Sequence, residues 1–301
     1  MSIPANNTSP DAPLRDSNPF LQNAREGRHG IRWFLTTTFF VLICWQVIGA
    51  IPYLIAITLG WSEDPLISFI ALNSSFVVLL ASLVFAMHRV HHRHPLTLVS
   101  PDGSFSLRRA LTAGSLWFVI TLLSCLLDAV VHPGSYHLSF NPADWLLFLP
   151  AAIILIPIQA GSEELLFRGY FLQQTAFLSK NKWGLATLSG IIFAVPHFFN
   201  PEMQQGFFLT ALFYFAFGWV MAMVTIISNR LEYALGIHIA NNLTTVLIAN
   251  YTGSALPSPA IFTAGIVDPS FNLLAFLGSA ALLWILLFHL LPSLNKPKGS
   301  S

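Results

Sequence analysis

Three ionisable side chains lie inside one of the most apolar stretches of this chain: Glu163, Glu164 and Arg168. A charged side chain at the centre of a membrane-spanning helix costs about 2.5–3.5 kcal/mol on insertion scales. Such groups persist in a membrane where they pair with each other or take part in chemistry. This cluster is therefore the first candidate for a functional site.

The spacing of the cluster separates the roles of the two glutamates. Residues four apart share a helix face, so Glu164 and Arg168 can form an ion pair that holds the helix in place. Glu163 is rotated by about 100° from Glu164 and has Phe167, not a cation, at the i+4 position. A carboxylate with so little charge compensation is suited to act as a general base. The same cluster could instead clamp two helices together, or relay protons or ions in a transporter.

Two later histidines stand in apolar segments and could converge on the same point: His197 and His238. Asn242 lies four residues after His238, so these side chains share a helix face. Two hydrogen-bond donors on one face could stabilise the oxyanion of a tetrahedral intermediate. The alternatives are a packed, hydrogen-bonded histidine at position 197 and an interhelical hydrogen bond from the His238/Asn242 pair.

Other protease motifs are absent from the sequence. It contains no His-Glu-x-x-His metal-binding helix, no Gly-x-Gly-Asp aspartyl signature and no Gly-x-Ser-x-Gly nucleophile elbow. A buried glutamate with nearby histidines is thus the chemistry that the residues favour.

The composition is that of a membrane protein. Of the 301 residues, 54% are hydrophobic and 9% are charged, whereas a soluble domain carries about 25% charged residues. The net charge of +1 gives no bulk attraction to nucleic acid. We therefore expect membrane lipids, and no nucleic acid, among the partners.

Long runs without a charged residue predict about eight transmembrane helices. The fold class we expect is an all-α, polytopic membrane helix bundle. The expected spans are residues 33–59, 65–87, 110–131, 145–178, 183–199, 206–228, 233–251 and 271–291.

The expected domain organisation follows these spans. Residues 1–28 are polar and predict a disordered cytoplasmic tail, and residues 29–143 hold transmembrane helices 1–3. Residues 144–292 form the expected catalytic transmembrane core, and residues 293–301 a second cytoplasmic tail.

The distribution of basic residues predicts the orientation. If eight spans are threaded with both termini on one side, the loops and tails of that side hold every Lys and Arg except Arg168. The opposite loops carry acidic residues, such as Glu63 and Glu202, but no Lys or Arg. Since Lys and Arg collect on the cytoplasmic side, both termini should be cytoplasmic.

The length of the fourth span raises a conflict of depth. If this helix began at residue 145, Glu163 would lie near its cytoplasmic end, and His197 would lie nearer the outer side. The conflict is relieved if residues 145–157 are interfacial or broken and the true crossing runs from about 156 to 178. We also expect a break or tilt in the fifth span, which carries Pro196.

Three motifs in this order resemble the CPBP family, also called the Abi or CAAX-protease-like family, which includes the Rce1-type prenyl-protein endopeptidases. The family motifs are Glu-Glu-x-x-x-Arg, Phe-x-x-x-His and His-x-x-x-Asn/Asp. They are matched by Glu163, Glu164 and Arg168, by Phe193 and His197, and by His238 and Asn242.

The resemblance implies a glutamate-dependent intramembrane endopeptidase in a multi-pass membrane protein. It implies that Glu163 and His197 activate a water, that His238 and Asn242 stabilise the oxyanion, and that no cofactor is needed. A zinc ion held by Glu163, His197 and His238 is the less favoured mechanism.

The expected substrate is a peptide or a lipidated protein, including CAAX-type prenyl-protein processing, and the expected location is a bacterial inner membrane. The alternative function is that of a transporter, a bacteriocin-immunity protein or a scaffold that uses the same fold without proteolysis.

Overall fold

A computed structural model describes residues 18–179, 181–265 and 267–290, and these residues form a helical bundle with one small sheet. The helices are α1 (Pro19–Gln22), α2 (Ile31–Ile43), α3 (Ile51–Thr58), α4 (Pro65–Arg89), α5 (Leu107–Val131), α6 (Pro142–Glu164), α7 (Leu172–Thr175), α8 (Lys182–His197), α9 (Phe207–Ser228), α10 (Glu232–Leu247) and α11 (Pro269–Ile285). Wider π-helical stretches occupy Cys44–Ile48, Leu165–Phe171 and Leu286–Leu290. Short 3-10 turns occupy Asn23–Arg25, Trp61–Glu63, Pro95–Leu98 and Pro201–Gln205.

Six helices of the described part are long and apolar enough to cross a membrane. They are Ile31–Thr58, Pro65–Arg89, Leu107–Val131, Pro142–Thr175, Phe207–Ser228 and Pro269–Leu290. Large apolar side chains cover their outer faces; Ile43, Leu126 and Leu147 are 57%, 62% and 67% exposed. Such a surface requires a lipid environment, so the protein is an integral, multi-pass membrane protein.

The two other expected spans, 183–199 and 233–251, are the 16-residue helices α8 and α10. At 1.5 Å per residue each covers about 24 Å, less than the ~30 Å hydrocarbon core of a bilayer. The count of eight crossings and the cytoplasmic location of both termini therefore stay predictions.

The fourth span is one continuous helix, so residues 145–157 are not broken; their interfacial location stays a prediction. The span runs from Pro142 to Thr175 over 34 residues, with Pro150 and Pro157 inside it. Asn141 caps its first turn by accepting a hydrogen bond from the backbone N–H of Ala143 (3.1 Å). A helix of this length covers about 50 Å, so it exceeds the bilayer core and must tilt or protrude. The structure places the irregularity at Leu165–Phe171, directly after the two glutamates.

One end of the bundle, here called the basic end, is formed by segment 18–30 and the loops 90–106, 176–179 and 229–231. These segments are tied to one another. The backbone N–H of Arg28 donates to the carbonyl of His91 (2.7 Å), and Arg230 pairs with Asp102 (3.1 Å). Hydrogen bonds from Ser100, Ser104 and Arg230 hold the pKa of the Asp102 carboxyl well below its usual range.

The opposite end, here called the sheet end, is formed by the loops 59–64, 132–141, 198–206 and 248–265. A three-stranded sheet joins two of these loops, which the all-helical prediction did not include. Its order is β1-β3-β2, with β3 antiparallel to β1 and parallel to β2. The strands are β1 (Tyr136–Leu138), β2 (Ala249–Tyr251) and β3 (Phe262–Ala264). The sheet fixes the loops that follow α5 and α10, because each contributes one or two of the strands.

The N-terminal segment differs from the predicted disordered tail where the structure describes it. The tail was predicted for residues 1–28, of which 1–17 lie outside the described residues. Asn18 caps α1, and Phe20 and Leu21 are fully buried. The Asn18 side chain also donates to the carbonyl of Ile226 (2.9 Å), which fastens the segment to α9. The predicted tail 293–301 lies outside the described residues.

Candidate functional site

A cavity of about 580 Å³ lies inside the bundle. Its walls come from the helices of both expected units, 29–143 and 144–292, and from the loops of the sheet end. The candidate residues Glu163, His197, His238 and Asn242 all line this cavity. The sequence-derived candidates therefore converge on one buried space, although they come from three separate helices.

Glu163 presents an unsatisfied carboxylate oxygen in the cavity wall. The residue is 5% exposed, and its Oε2 atom has no hydrogen-bond partner among the described residues. That oxygen lies 3.5 Å from Nε2 of His238. The side chain of Gln159, one helical turn earlier on the same face, also hydrogen-bonds to Glu163. A buried carboxylate in a cavity wall, with one oxygen that lacks a hydrogen-bond partner, is arranged to accept a proton.

Glu164 accepts hydrogen bonds from Arg168 and from His238. Arg168 Nη1 donates to Glu164 Oε1 (2.9 Å), and His238 Nδ1 donates to the same oxygen (2.8 Å). Glu164 and Arg168 are both fully buried, and neither lines the cavity among the described residues. The guanidinium also lies over the ring of Phe193, 4.1 Å from its centroid. The ion pair expected from the spacing is thus present, and it fixes His238 as well.

His197 is held at the end of α8 by its own backbone and by two aromatic rings. Its Nδ1 lies 2.8 Å from the carbonyl oxygen of Phe193. A carbonyl only accepts, so Nδ1 carries the proton and Nε2 of the neutral ring keeps its lone pair. The ring lies 4.5 Å from that of Phe193 and stacks on Tyr214 at 4.1 Å between centroids. The Tyr214 hydroxyl in turn donates to the buried carboxylate of Glu202.

Asn242 has a fixed amide orientation. Its Nδ2 donates to Gln159 Oε1 (2.9 Å), and its Oδ1 accepts from Asn241 (3.1 Å). Asn241 is placed in turn by Trp117, whose indole N–H donates to its side-chain oxygen (3.3 Å). The Asn242 amide nitrogen therefore has a second hydrogen atom to donate on the cavity wall.

The depth conflict between Glu163 and His197 does not arise. The fourth span ends and α8 begins at the same turn at the basic end, so the depth of both residues can be measured from that turn. Glu163 lies twelve residues before Thr175, where the fourth span ends; this is about 18 Å at 1.5 Å per residue. His197 lies fifteen residues after Lys182, where α8 begins, or about 22 Å. The two residues reach similar depths, while the extra length of α6 extends toward the sheet end.

Three residues of the site were missed by sequence reasoning: Gln159, Glu202 and Tyr214. Gln159 had a readable signal, since it stands four residues before Glu163 in an apolar run. Glu202 was read only as a loop acid, and Tyr214 as one aromatic residue among many. Their contact joins a 3-10 turn to α9, and no local spacing in the sequence indicates it.

The candidate zinc ligands do not form a metal site in the part of the chain that the structure describes. No group of three or more His, Cys, Asp or Glu side chains is arranged there to hold a metal ion. Glu163 and His238 lie 3.5 Å apart, but they do not form such a group together with His197 among the described residues.

Comparisons with known proteins locate the resemblance on the same helices. A family model described as "Type II CAAX prenyl endopeptidase Rce1-like" matches residues 142–244. The chain is 32% identical over 247 residues to the uncharacterized protein YyaK of Bacillus subtilis (strain 168). That alignment covers 77% of this chain and 83% of YyaK. No solved structure matches the chain.

Proposed function

The chain belongs to the Rce1-like family of type II CAAX prenyl endopeptidases, and we propose that it is an intramembrane endopeptidase whose general base is Glu163. The observation that carries this proposal is that Glu163 lines the cavity, whereas Glu164 does not, and that the buried Oε2 atom of Glu163 lies 3.5 Å from Nε2 of His238 without a hydrogen-bond partner among the described residues. Glu164, the next residue in the helix, is bonded to Arg168 and His238 and does not line the cavity.

The reaction begins with a water that Glu163 and His197 hold between them. Glu163 takes one proton from this water, and the hydroxide forms a C–O bond to the carbonyl carbon of the substrate. The carbonyl oxygen becomes an oxyanion. Glu163 then gives its proton to the amide nitrogen, the C–N bond breaks, and the amine leaves. General-base catalysis of this kind contributes about 10²–10⁴-fold to a rate.

His197 orients the water through its lone pair. Because Nδ1–H is engaged by the Phe193 carbonyl, Nε2 is the ring atom that accepts a hydrogen bond from the second proton of the water. Stacking on Tyr214 keeps the ring from rotating. Holding the nucleophile in this way lowers the entropic part of the barrier.

His238 and Asn242 stabilise the oxyanion by donation from their nitrogen atoms. Nδ1 of His238 is held by Glu164 Oε1, so Nε2 is the ring atom that would donate to the oxyanion. Removal of one oxyanion donor costs about 10²–10³ in turnover in well-studied hydrolases.

Glu164, Arg168 and Phe193 hold this arrangement and do not take part in the bond changes. Glu164 bonds to His238, Arg168 to Glu164, and Phe193 lies between Arg168 and His197. The substrate we propose is a peptide or a lipidated protein, in keeping with the family, which reaches the cavity from the surrounding membrane lipids or from an aqueous face.

The test measures the turnover of a peptide library by the purified Glu163→Gln variant and by the purified unmodified protein. We expect turnover to fall by about 10²–10⁴-fold because glutamine cannot accept the proton. Glu63→Gln is the matched control: Glu63 is exposed at the sheet end and does not line the cavity, so its turnover should be unchanged. Equal turnover in the Glu163 and Glu63 variants would remove the proposal.

A further inference from the structure

The cavity lies in the half of the bundle that is opposite to the basic residues. Within the described residues, every Lys and Arg other than Arg168 stands at or next to the basic end, and none of them lines the cavity. They are Arg25, Arg28, Arg32, Arg89, Arg93, Arg108, Arg109, Lys182 and Arg230. The loops that do contribute to the cavity wall are those of the sheet end.

Part of the cavity wall is exposed at the sheet end. At the deep wall, the side chains of Glu163 and His238 are 6% and 5% exposed. Nearer the sheet end, Asp128 is 24% exposed and Asp268, just before α11, is 49% exposed. Asp268 remains charged there, because the backbone N–H groups of Ser270 and Phe271 lower the pKa of its carboxyl. The mouth of the cavity is therefore at the sheet end.

The path from the cavity to the basic end is closed by packed side chains. Below Glu163 the π-helical stretch Leu165–Phe171 has six buried residues out of seven. Gly169 in this stretch packs so closely that an added Cβ would lie 3.0 Å from the carbonyl oxygen of Leu98. Beyond it, Arg93 donates to both Thr97 and Gln173, all of them buried.

We propose that the active cavity opens to the non-cytoplasmic face of the membrane and that its substrates are peptide segments exposed on that face. This inference rests on the proposed peptidase function. Because Lys and Arg collect on the cytoplasmic side, the sealed basic end faces the cytoplasm and the open sheet end faces away from it. A prenylated protein C-terminus anchored on the cytoplasmic leaflet would meet the sealed end.

The first test measures which end of the protein faces outward. In a Cys44→Ser/Cys125→Ser background, Asn272→Cys places a thiol at an exposed position in the cavity wall, and Ser104→Cys places one in an exposed loop of the basic end. Spheroplasts are treated with a membrane-impermeant maleimide before and after permeabilisation. We expect Asn272→Cys to react in intact spheroplasts and Ser104→Cys only after permeabilisation.

A second pair keeps this test valid if one variant misfolds. Glu63→Cys at the sheet end and Arg108→Cys at the basic end are both exposed and outside the cavity wall. Labelling of Ser104→Cys or Arg108→Cys in intact spheroplasts would overturn the inference. So would labelling of the sheet-end thiols only after permeabilisation.

The second test measures the side from which substrate enters. Proteoliposomes are sorted by the accessibility of Glu63→Cys, which lies outside the cavity wall, and a peptide library is added only outside the vesicles. We expect cleavage where the sheet end faces outward, and none where the basic end faces outward until detergent opens the vesicles. Cleavage only by vesicles with the basic end outward would overturn the inference. No cleavage in either orientation or in detergent would contradict the peptidase proposal and leave the labelling result intact.

Discussion

The two halves of this bundle meet at Glu163 and differ in how they treat buried polar groups. In the basic half, Arg93 donates to the side chain of Thr97 (2.6 Å) and to Gln173, and Asn23 donates to the carbonyls of Thr97 (2.8 Å) and Ser100 (2.9 Å). In the sheet half, polar side chains surround a cavity, and Glu163 keeps an oxygen unpaired.

The difference shows where the chain trades stability for activity. In the basic half, Arg93, Thr97, Gln173 and Asn23 form one hydrogen-bonded network that closes that end. The polar groups in the sheet half leave space and bonding capacity for a water and a peptide, at a cost in desolvation. Substitutions in each half should therefore separate the effects on stability from the effects on activity.

The largest effect is expected at the boundary of the two halves, from Arg168→Met. This change leaves Glu164 fully buried without its guanidinium, and breaking one side of a buried ion pair costs about 3–5 kcal/mol. The free energy of unfolding in detergent measures the loss. Arg89→Met is the matched control, since Arg89 is exposed at the end of α4, and it should change stability by at most about 0.5 kcal/mol.

The double variant Glu164→Gln/Arg168→Met sharpens this prediction. Removing both charges should restore most of the lost stability, because no uncompensated charge then remains buried. A double variant as unstable as Arg168→Met would mean that the guanidinium acts through its contact with Phe193, and not through Glu164.

The second effect tests the close packing of the basic half, with Gly236→Ala. An added Cβ at Gly236 would lie 2.0 Å from the carbonyl oxygen of Ala110, so α10 must move away from α5. Overpacking of this kind costs about 1–3 kcal/mol, and His238, two residues along α10, would move with it. We expect both the melting temperature and the turnover to fall.

Gly278→Ala is the control for this change, because nothing lies within 4 Å of the added Cβ. It should leave melting temperature and turnover unchanged. If Gly236→Ala behaves in the same way, close approach of the two backbones is not what positions His238.

The regular features of this molecule could be predicted from the sequence, because they depend on local pattern. Apolar runs indicated the helices, and the four-residue spacing indicated the Glu164–Arg168 pair that the structure contains. The motif resemblance indicated the family. Whether Glu163, His197, His238 and Asn242 act as assigned stays a prediction, although all four line one cavity.

The features that sequence reasoning missed depend on contacts between distant segments. The sheet needs the loops after α5 and α10 to meet, and the contact between Glu202 and Tyr214 needs a turn to fold against α9. The fourth span runs unbroken through Pro150 and Pro157, although a break or tilt was expected, because a membrane helix tolerates an interior proline where neighbouring groups satisfy the backbone groups that it leaves free. Hydropathy and periodicity carry no information about such pairings.

The third effect tests the sheet half, with Tyr214→Phe. The ring that stacks on His197 remains, but the hydroxyl that bonds to Glu202 is lost. Loss of one buried hydrogen bond is worth about 1–1.5 kcal/mol, which corresponds to about tenfold in rate if it acts on the transition state. We expect kcat to fall with KM retained, beyond any small decrease in melting temperature.

Tyr53→Phe is the matched control, since Tyr53 lines the cavity from another wall and stands outside the His197 stack. It should keep the original kcat. If Tyr214→Phe lowers the melting temperature and leaves kcat unchanged, the Tyr214 hydroxyl only stabilises the fold.

The smallest effect is a pH dependence of stability from His91 in the basic half. Its Nδ1–H donates to the carbonyl of Arg28 (2.7 Å), and its Nε2 accepts from the hydroxyls of Thr37 (3.0 Å) and Tyr170 (3.1 Å). Burial lowers the pKa of His91 from its ordinary value of 6.5, the Arg28 carbonyl opposes this, and the nearby Arg93 charge adds to it. The folded protein thus holds this ring neutral.

The sign of the effect follows from the proton that only the unfolded chain binds. Above pH 6.5 the contribution of His91 to stability is complete. As the pH falls below 6.5, the unfolded chain takes up a proton, and the free energy of unfolding declines until the pH reaches the lower pKa of the folded state. The slope is measured by unfolding the protein in detergent between about pH 7.5 and about pH 5. His91→Gln should flatten this slope, whereas His88→Gln, at an exposed position, should keep it. A slope that survives His91→Gln would place the titrating group elsewhere, and the basic half would then owe its acid sensitivity to another residue.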